Sequence, residues 1–188
     1  MSTMRWFRAD PGRRLRLLAC AAVGLAAGTA QAQVPWNPRA PENNQLRPSF
    51  NYGTVEEVLS AIGAKYQRNA SSPARPLIVA TFPNGRRAVI SLLSCNADAS
   101  ACKALGIQAS WVTPAGVQGP RVAAAIEQFN RHYSFAKAFV GTSGRPTLQR
   151  YLTGDYGFLR GDLAVNFLVF SNQADRFANE VMRPLGAR

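Results

Sequence analysis

Acidic residues are scarce in this chain. Ten Asp and Glu stand against 22 Lys and Arg, and His132 is its single histidine. Charged residues are 17% of the 188, against roughly 25% in an average soluble domain. The longest uncharged apolar run, Leu17–Ala30, is largely alanine, leucine and glycine. It stops short of the roughly 20 residues that a bilayer crossing takes. There is no internal repeat and no long run of one charge sign. These absences exclude a polytopic membrane protein, a coiled coil and a multidomain enzyme. What is present suits one domain with a real core, since about 100–200 residues per domain is usual.

The start of the chain has three parts in order. Residues 1–16 are arginine-rich, Leu17–Ala30 is apolar, and Ala30-Gln31-Ala32 is a small-x-small site. That is the layout of a secretory signal peptide over residues 1–32, cleaved before Gln33. Arg13-Arg14 does not make a twin-arginine signal, because Arg16 occupies a position that wants an apolar residue. Processing at Cys20 would cut before the apolar region rather than after it, which argues against a lipoprotein. The expected mature protein is exported, periplasmic or secreted, and not integral to the membrane. It keeps 17 basic and 9 acidic residues, a net charge of +8.

Export gives the cysteines a meaning. Cys95 and Cys102 remain, an even count in an oxidising compartment, and are expected to form a disulfide. The residues between them are small or polar and can bend back. The spacing is not the C-x-x-C of a redox motif, and a metal site would need more ligands than two cysteines and a distant His132. A structural bridge here contributes about 2–3 kcal/mol in the chain-entropy model.

Residues 33–51 hold Pro35, Pro38, Pro41 and Pro48 without sustained periodicity, and are expected to form a flexible segment. Trp36 and Phe50 are the residues that could dock it. The domain over 52–188 opens with Thr54-Val55-Glu56-Glu57, an S/T-x-x-E capping box, and Val55, Val58, Leu59 and Ile62 predict a helix over 55–64. Leu77–Phe82 and Ala88–Leu93 flank Pro83-Asn84-Gly85, a hairpin signal. Alternation through Leu105, Ile107, Ala109 and Trp111 predicts a third strand. Val122, Ile126, Phe129 and Tyr133 mark a second helix. Ser134–Val140 and Thr147–Leu152 form a second hairpin about Gly141-Thr142-Ser143-Gly144. The inward face of its first strand is ambiguous, because Phe135 and Phe139 share a parity with Lys137. Leu163, Phe167, Phe170, Ala174, Phe177 and Val181 mark a third helix, with Asp162 near its N-cap. The predicted order is α-β-β-β-α-β-β-α, an α+β fold with helices packed on a mostly antiparallel sheet.

A search for chemistry finds little that coheres. His132 lacks the neighbouring nucleophile or orienting carboxylate that a general base needs, and a place at a helix C-terminus explains it. Asp155 and Asp162 flank a turn. They would have to face each other across a cleft to serve a hydrolase, and turn and capping roles suit both. Gly141–Arg145 runs strand to strand and lacks a phosphate loop's lysine. Asn130 and Asn166 border the apolar stripes of their helices, where an amide would tie helix to neighbouring backbone. No catalytic, metal or cofactor-binding residue is assigned. The arginine excess suits anionic lipid, glycan or an acidic partner. Nucleic acid is not expected of an exported protein without an RNA-binding aromatic signature.

Phe129-Asn130-Arg131, followed by Phe135-Ala136-Lys137-Ala138-Phe139, resembles the helix-to-strand signature of the YbjN family, described as bacterial sensory transduction regulators. Asn166-Phe167 and Phe170 resemble its closing helix, and the likeness covers roughly residues 52–182. Phe129 stands where the family would lead one to expect Trp. The resemblance implies a type III secretion chaperone-like fold, no cofactor and no established catalytic residue. It also implies a non-catalytic protein-interaction module, with an envelope protein or, by fold analogy, a second copy as partner. N-terminal sequencing of the protein recovered from the cell envelope is expected to begin at Gln33; recovery of a chain that retains Met1 contradicts the leader assignment.

Overall fold

The computed structural model describes residues 36–69 and 76–187; the leader, residues 1–32, lies outside them. The described residues hold three α-helices and eight strands. After a single 3-10 turn at Pro41–Asn44 come β1 (Leu46–Arg47), α1 (Tyr52–Ala61), β2 (Lys65–Asn69), β3 (Leu77–Thr81), β4 (Arg87–Cys95) and β5 (Cys102–Ser110). Then follow α2 (Gly119–His132), β6 (Lys137–Val140), β7 (Pro146–Thr153), β8 (Phe158–Leu159) and α3 (Arg160–Phe177). Six strands form one sheet in the order β2-β3-β4-β5-β7-β6, antiparallel throughout, and β1 pairs with β8 in a separate ribbon.

Period-two alternation decides which face of the sheet is covered. Ile78, Ala80, Ala88, Ile90, Leu92, Leu105, Ile107, Ala109, Ala138 and Leu148 are buried, and the strand registers place them on one face. α3 supplies Leu163, Ala164, Phe167, Phe170, Ala174 and Phe177 to the same core, α1 supplies Val55, Val58 and Leu59, and α2 supplies Val122, Ile126 and Phe129. Just before and within β6 the small residues Ala136 and Ala138 face inward, at 3% and 2% exposure. Phe135, Lys137 and Phe139 take the other parity, which settles the ambiguity of that strand.

The β3–β4 hairpin turns where Asn84-Gly85 predicts it. Gly85 takes φ +80°, where a side chain would be strained, and Phe82 N–H donates to Arg86 O at 2.8 Å. Its tip is docked on α3: Asn84 Nδ2 donates to Ser171 O at 3.0 Å, and Arg86 donates through Nε and Nη2 to Asp175 Oδ1. Cys95 and Cys102 face each other at the end of the β4–β5 ladder with their Cα atoms 3.8 Å apart, and their sulfurs are bonded.

Four expectations are corrected. α1 begins at Tyr52, because Asn51 and not Thr54 is its cap: Asn51 Oδ1 accepts Thr54 N–H at 2.9 Å, and Thr54 Oγ1 accepts Asn51 N–H at 3.1 Å. Glu57 is thereby free for other partners. A further strand, β2, precedes the hairpin. Its five residues, Lys-Tyr-Gln-Arg-Asn, are all exposed, so they lack the one-sided alternation that reveals a strand. The third helix starts at Arg160 with Leu159 at its N-cap, and Asp162 lies in its first turn without a capping bond. Past Phe177 it widens into a π-type turn at Ala178–Met182.

The fourth correction concerns the proline-rich segment, whose residues 36–50 form a fastened strap. Phe50 exchanges both backbone hydrogen bonds with Cys102, at 2.9 and 2.8 Å, is 1% exposed, and stacks on Phe158 with ring centroids 4.2 Å apart. Asn43 is buried and crosses Gly161 so closely that a Cβ there would lie 2.8 Å from Asn43 Cβ. Arg160, 7% exposed, closes the junction: its Nη1 donates to Asn43 Oδ1 at 2.8 Å and its Nε to Glu57 Oε1 at 2.7 Å. Composition misreads the segment because its anchors are single residues, not a periodic stripe. Phe50→Ala is expected to cost about 3–5 kcal/mol, the range for a buried phenylalanine truncated to alanine, read as a shift of the chemical-denaturation midpoint.

Candidate functional site

The residues of the helix-to-strand signature converge on one edge of the sheet. Asn130, in the last turns of α2, reaches the outer side of β6. Its Nδ2 donates to Ala138 O at 2.8 Å and its Oδ1 accepts Ala138 N–H at 2.9 Å. Gln173, buried on α3, accepts Ala136 N–H at 3.0 Å. Arg150 Nη1 donates to Phe135 O at 2.8 Å, and its guanidinium lies 4.4 Å from the Phe135 ring centroid. Phe129 is buried between Tyr133 and Phe177, with ring centroids at 4.6 and 5.0 Å. Side-chain amides from two helices therefore occupy the N–H of Ala136 and both backbone groups of Ala138, which would otherwise be open to another strand.

The opposite edge is different. β2 exposes all five of its residues. Two of them turn back to α1: Arg68 donates to both carboxylate oxygens of Glu56, and Tyr66 Oη meets Ser60 Oγ at 3.1 Å. The bond to Glu56 is the main reason the Arg68 guanidinium is held above its ordinary pKa. Among the described residues, no amide side chain from another element is placed on the backbone of residues 65–68 as Asn130 is on β6.

Other candidate residues remain apart. Asn166 Nδ2 donates to Asp162 O within α3, while Phe167 is buried in the core 6.3 Å from Phe82. Asp155 and Asp162 are both exposed, one in the β7–β8 turn and one in the first turn of α3. His132 Nδ1 lies 2.9 Å from Gln128 O. It borders a small hollow of about 220 Å³ with Tyr133 and Glu180. There Tyr133 Oη donates to both Glu180 oxygens and accepts from Arg176. The hydrogen bond with Tyr133 is the main cause holding the Arg176 guanidinium above its ordinary pKa. In the loop beside the disulfide, Ser100 N–H holds the Asp98 carboxyl below its ordinary value. Among the described residues no three His, Cys, Asp or Glu side chains gather as metal ligands, and no helix is long and apolar enough to cross a membrane.

Sequence reasoning located Asn130 through its place beside an apolar stripe. It missed Gln173, Arg160 and Asn43, whose polar partners lie far along the chain. Gln173 does carry a signal, since it interrupts the buried stripe of α3 between Phe170 and Ala174.

Three helices on one face of an antiparallel sheet, with one edge capped by helix amides, define an α+β domain with a counterpart among solved structures. The crystal structure of YbjN from E. coli, "a putative transcription regulator", matches with a TM-score of 0.51. The match covers 72% of this chain and 95% of that one at 14% identity, a likeness of fold alone. The chain belongs to the YbjN family, described as "Putative bacterial sensory transduction regulator", whose model spans residues 51–183. No curated protein matches the chain.

Replacing Asn130 by Asp keeps the acceptor for Ala138 N–H but sets a carboxylate against Ala138 O. The variant is expected to lose about 1–3 kcal/mol, the cost of a hydrogen bond broken where a polar group is left unsatisfied. Faster hydrogen exchange at the Ala138 amide is the accompanying local signature.

Proposed function

We propose that this protein is a non-catalytic, exported interaction module that engages another polypeptide through the open β2 edge of its sheet. The observation that carries this reading is the contrast between the two edges. An unpaired strand edge is a template for pairing with another chain, and proteins that do not use it cover it. Here β6 is covered by Asn130 and Gln173, while β2 is exposed along its whole length.

Strand addition at such an edge takes affinity from main-chain hydrogen bonds and specificity from alternate side chains. Gln67, with Lys65 and Asn69, takes the parity away from the helices, and Tyr66 and Arg68 the parity toward them. An incoming strand would therefore meet a polar row on one side and a cation beside an aromatic ring on the other. Membership of a family described as sensory regulators supports a role in recognition rather than turnover. The leader-like sequence of residues 1–32 supports export, and with it a partner in the cell envelope; a second copy, pairing β2 with β2, is the homodimeric form of the same mode.

A photo-crosslinking amino acid at Gln67, in the full chain expressed in cells, tests the reading. One recurrent protein adduct, or a defined self-adduct through β2, is expected, with none from a probe at Lys137 on the covered edge. Equal, diffuse labelling from both positions contradicts it.

A further inference from the structure

Among the described residues no helix covers the second face of the sheet, and its composition is unusual. Across β2, β3, β4, β5, β6 and β7 there is not one Asp or Glu, and of the basic residues on these strands Lys65, Arg87 and Lys137 take the parity of this face, while Arg68, Lys103 and Arg150 take that of the helices. The acids of the described residues all sit on helices, loops and turns. On the bare face, Leu77, Val89 and Leu93 border a groove of about 660 Å³ along β3 and β4, mainly apolar but with Ser91, Ser94 and Asn96 also in its lining. At Val89 the groove meets a second hollow, about 490 Å³, lined by Val79, Arg87, Gln108, Ser110 and Arg145.

The charge in that second hollow is unspent. Arg68 and Arg150, the other arginines on the strands, are engaged by Glu56 and by Phe135 O. Among the described residues the guanidinium groups of Arg87 and Arg145 have no hydrogen-bond or ion-pair partner. Two guanidinium forks at one end of an apolar trough make a surface polarised along its length, and guanidinium suits carboxylate and phosphate.

We propose that this face binds a single-chain anionic amphiphile, its head on Arg87 and Arg145 and its acyl chain running past Val89 to Leu93. The dimensions agree. From Arg87 to Leu93 along β4 is ~20 Å at ~3.4 Å per strand residue, while one acyl chain spans ~15 Å, half of a ~30 Å hydrocarbon core. An acidic peptide would satisfy the arginines but would leave Leu77, Val89 and Leu93 without an apolar partner. A second copy would bring Arg87 and Arg145 into the same interface as their own like charges. The site lies on a different surface from the β2 edge and does not depend on it.

The full mature chain is titrated with fluorescently labelled palmitate, using hexadecanol and hexanoate as competitors. Saturable binding is expected, displaced by unlabelled palmitate and about tenfold less well by hexadecanol, which has the chain without the charge. Hexanoate, with the charge and too little chain, is expected not to compete. The double variant Arg87→Ala/Arg145→Ala, at exposed positions, should keep the native circular dichroism and bind about tenfold more weakly, equivalent to ~1.4 kcal/mol. Leu93→Gln should weaken binding without changing its salt dependence, because exposed charge contacts are screened by salt and apolar ones are not. The proposal is overturned by absence of saturable binding or by a double variant that binds like the parent. It is equally overturned if Leu93 and Arg87 prove to be buried between two copies, or if an acidic peptide binds there in place of palmitate.

Discussion

All three helices pack on the same face of the sheet, and most of what is distinctive in this molecule follows from that constraint. A two-layer domain buries one face of each strand, so inward positions must be apolar while outward ones answer only to water and to partners. The inward set runs through Ile78, Ile90, Leu105, Ile107 and Leu148, and its arginines are met by partners, Arg68 by Glu56 and Arg150 by the Phe135 carbonyl. The outward set is free to carry arginine, glutamine and isolated aliphatics together. A single-sided sheet also has two edges to manage, and the chain treats them differently. The edge near α2 and α3 is capped with amides, whereas the residues of the edge near α1 are all exposed.

The strap and the buried Arg160 show how the covered side is completed. Burying a guanidinium is costly unless its donors are met. Here Arg160 meets Glu57 on α1 and Asn43 on the strap, while Arg47 on β1 shares the same Glu57 carboxylate. Charge-assisted bonds of this kind are stronger than neutral ones. They sit beside an apolar contact that needs no charge, the stacking of Phe50 on Phe158. The proline-rich segment is thus held by polar bonds at one end and aromatic packing at the other.

Much of the fold was legible in the sequence. The three helical stripes, the Asn84-Gly85 turn and the alternation of β5 lead directly to the observed elements, because each has a periodic apolar face. β2 was not legible: a strand whose residues are all exposed has no such face, and only its pairing with β3 defines it. The strap failed for a related reason, since Asn43 and Phe50 act singly. In the candidate site, Asn130 could be suspected from its position on α2. That its amide would seal β6 depends on where Ala138 comes to lie, which no local pattern encodes. The pair Arg87 and Arg145 was hidden likewise, because two arginines far apart in sequence become one charged hollow only after β4, β5 and β7 have paired.

The bonds from Arg160 to Asn43 and Glu57 span 117 and 103 residues. A chain synthesised from its N-terminus makes the strap and α1 early, but their shared partner emerges only near the end. The two local hairpins can form while the chain lengthens, since contacts between near neighbours close quickly and distant ones slowly. The strap must wait. Until Arg160 has left the ribosome, Glu57 has only Arg47 for a partner, Asn43 Oδ1 has no donor from Arg160, and Phe50 has no Phe158 to stack on. The domain is therefore poorly able to lock before its last helix exists, and the strap is among the last parts of the chain to settle.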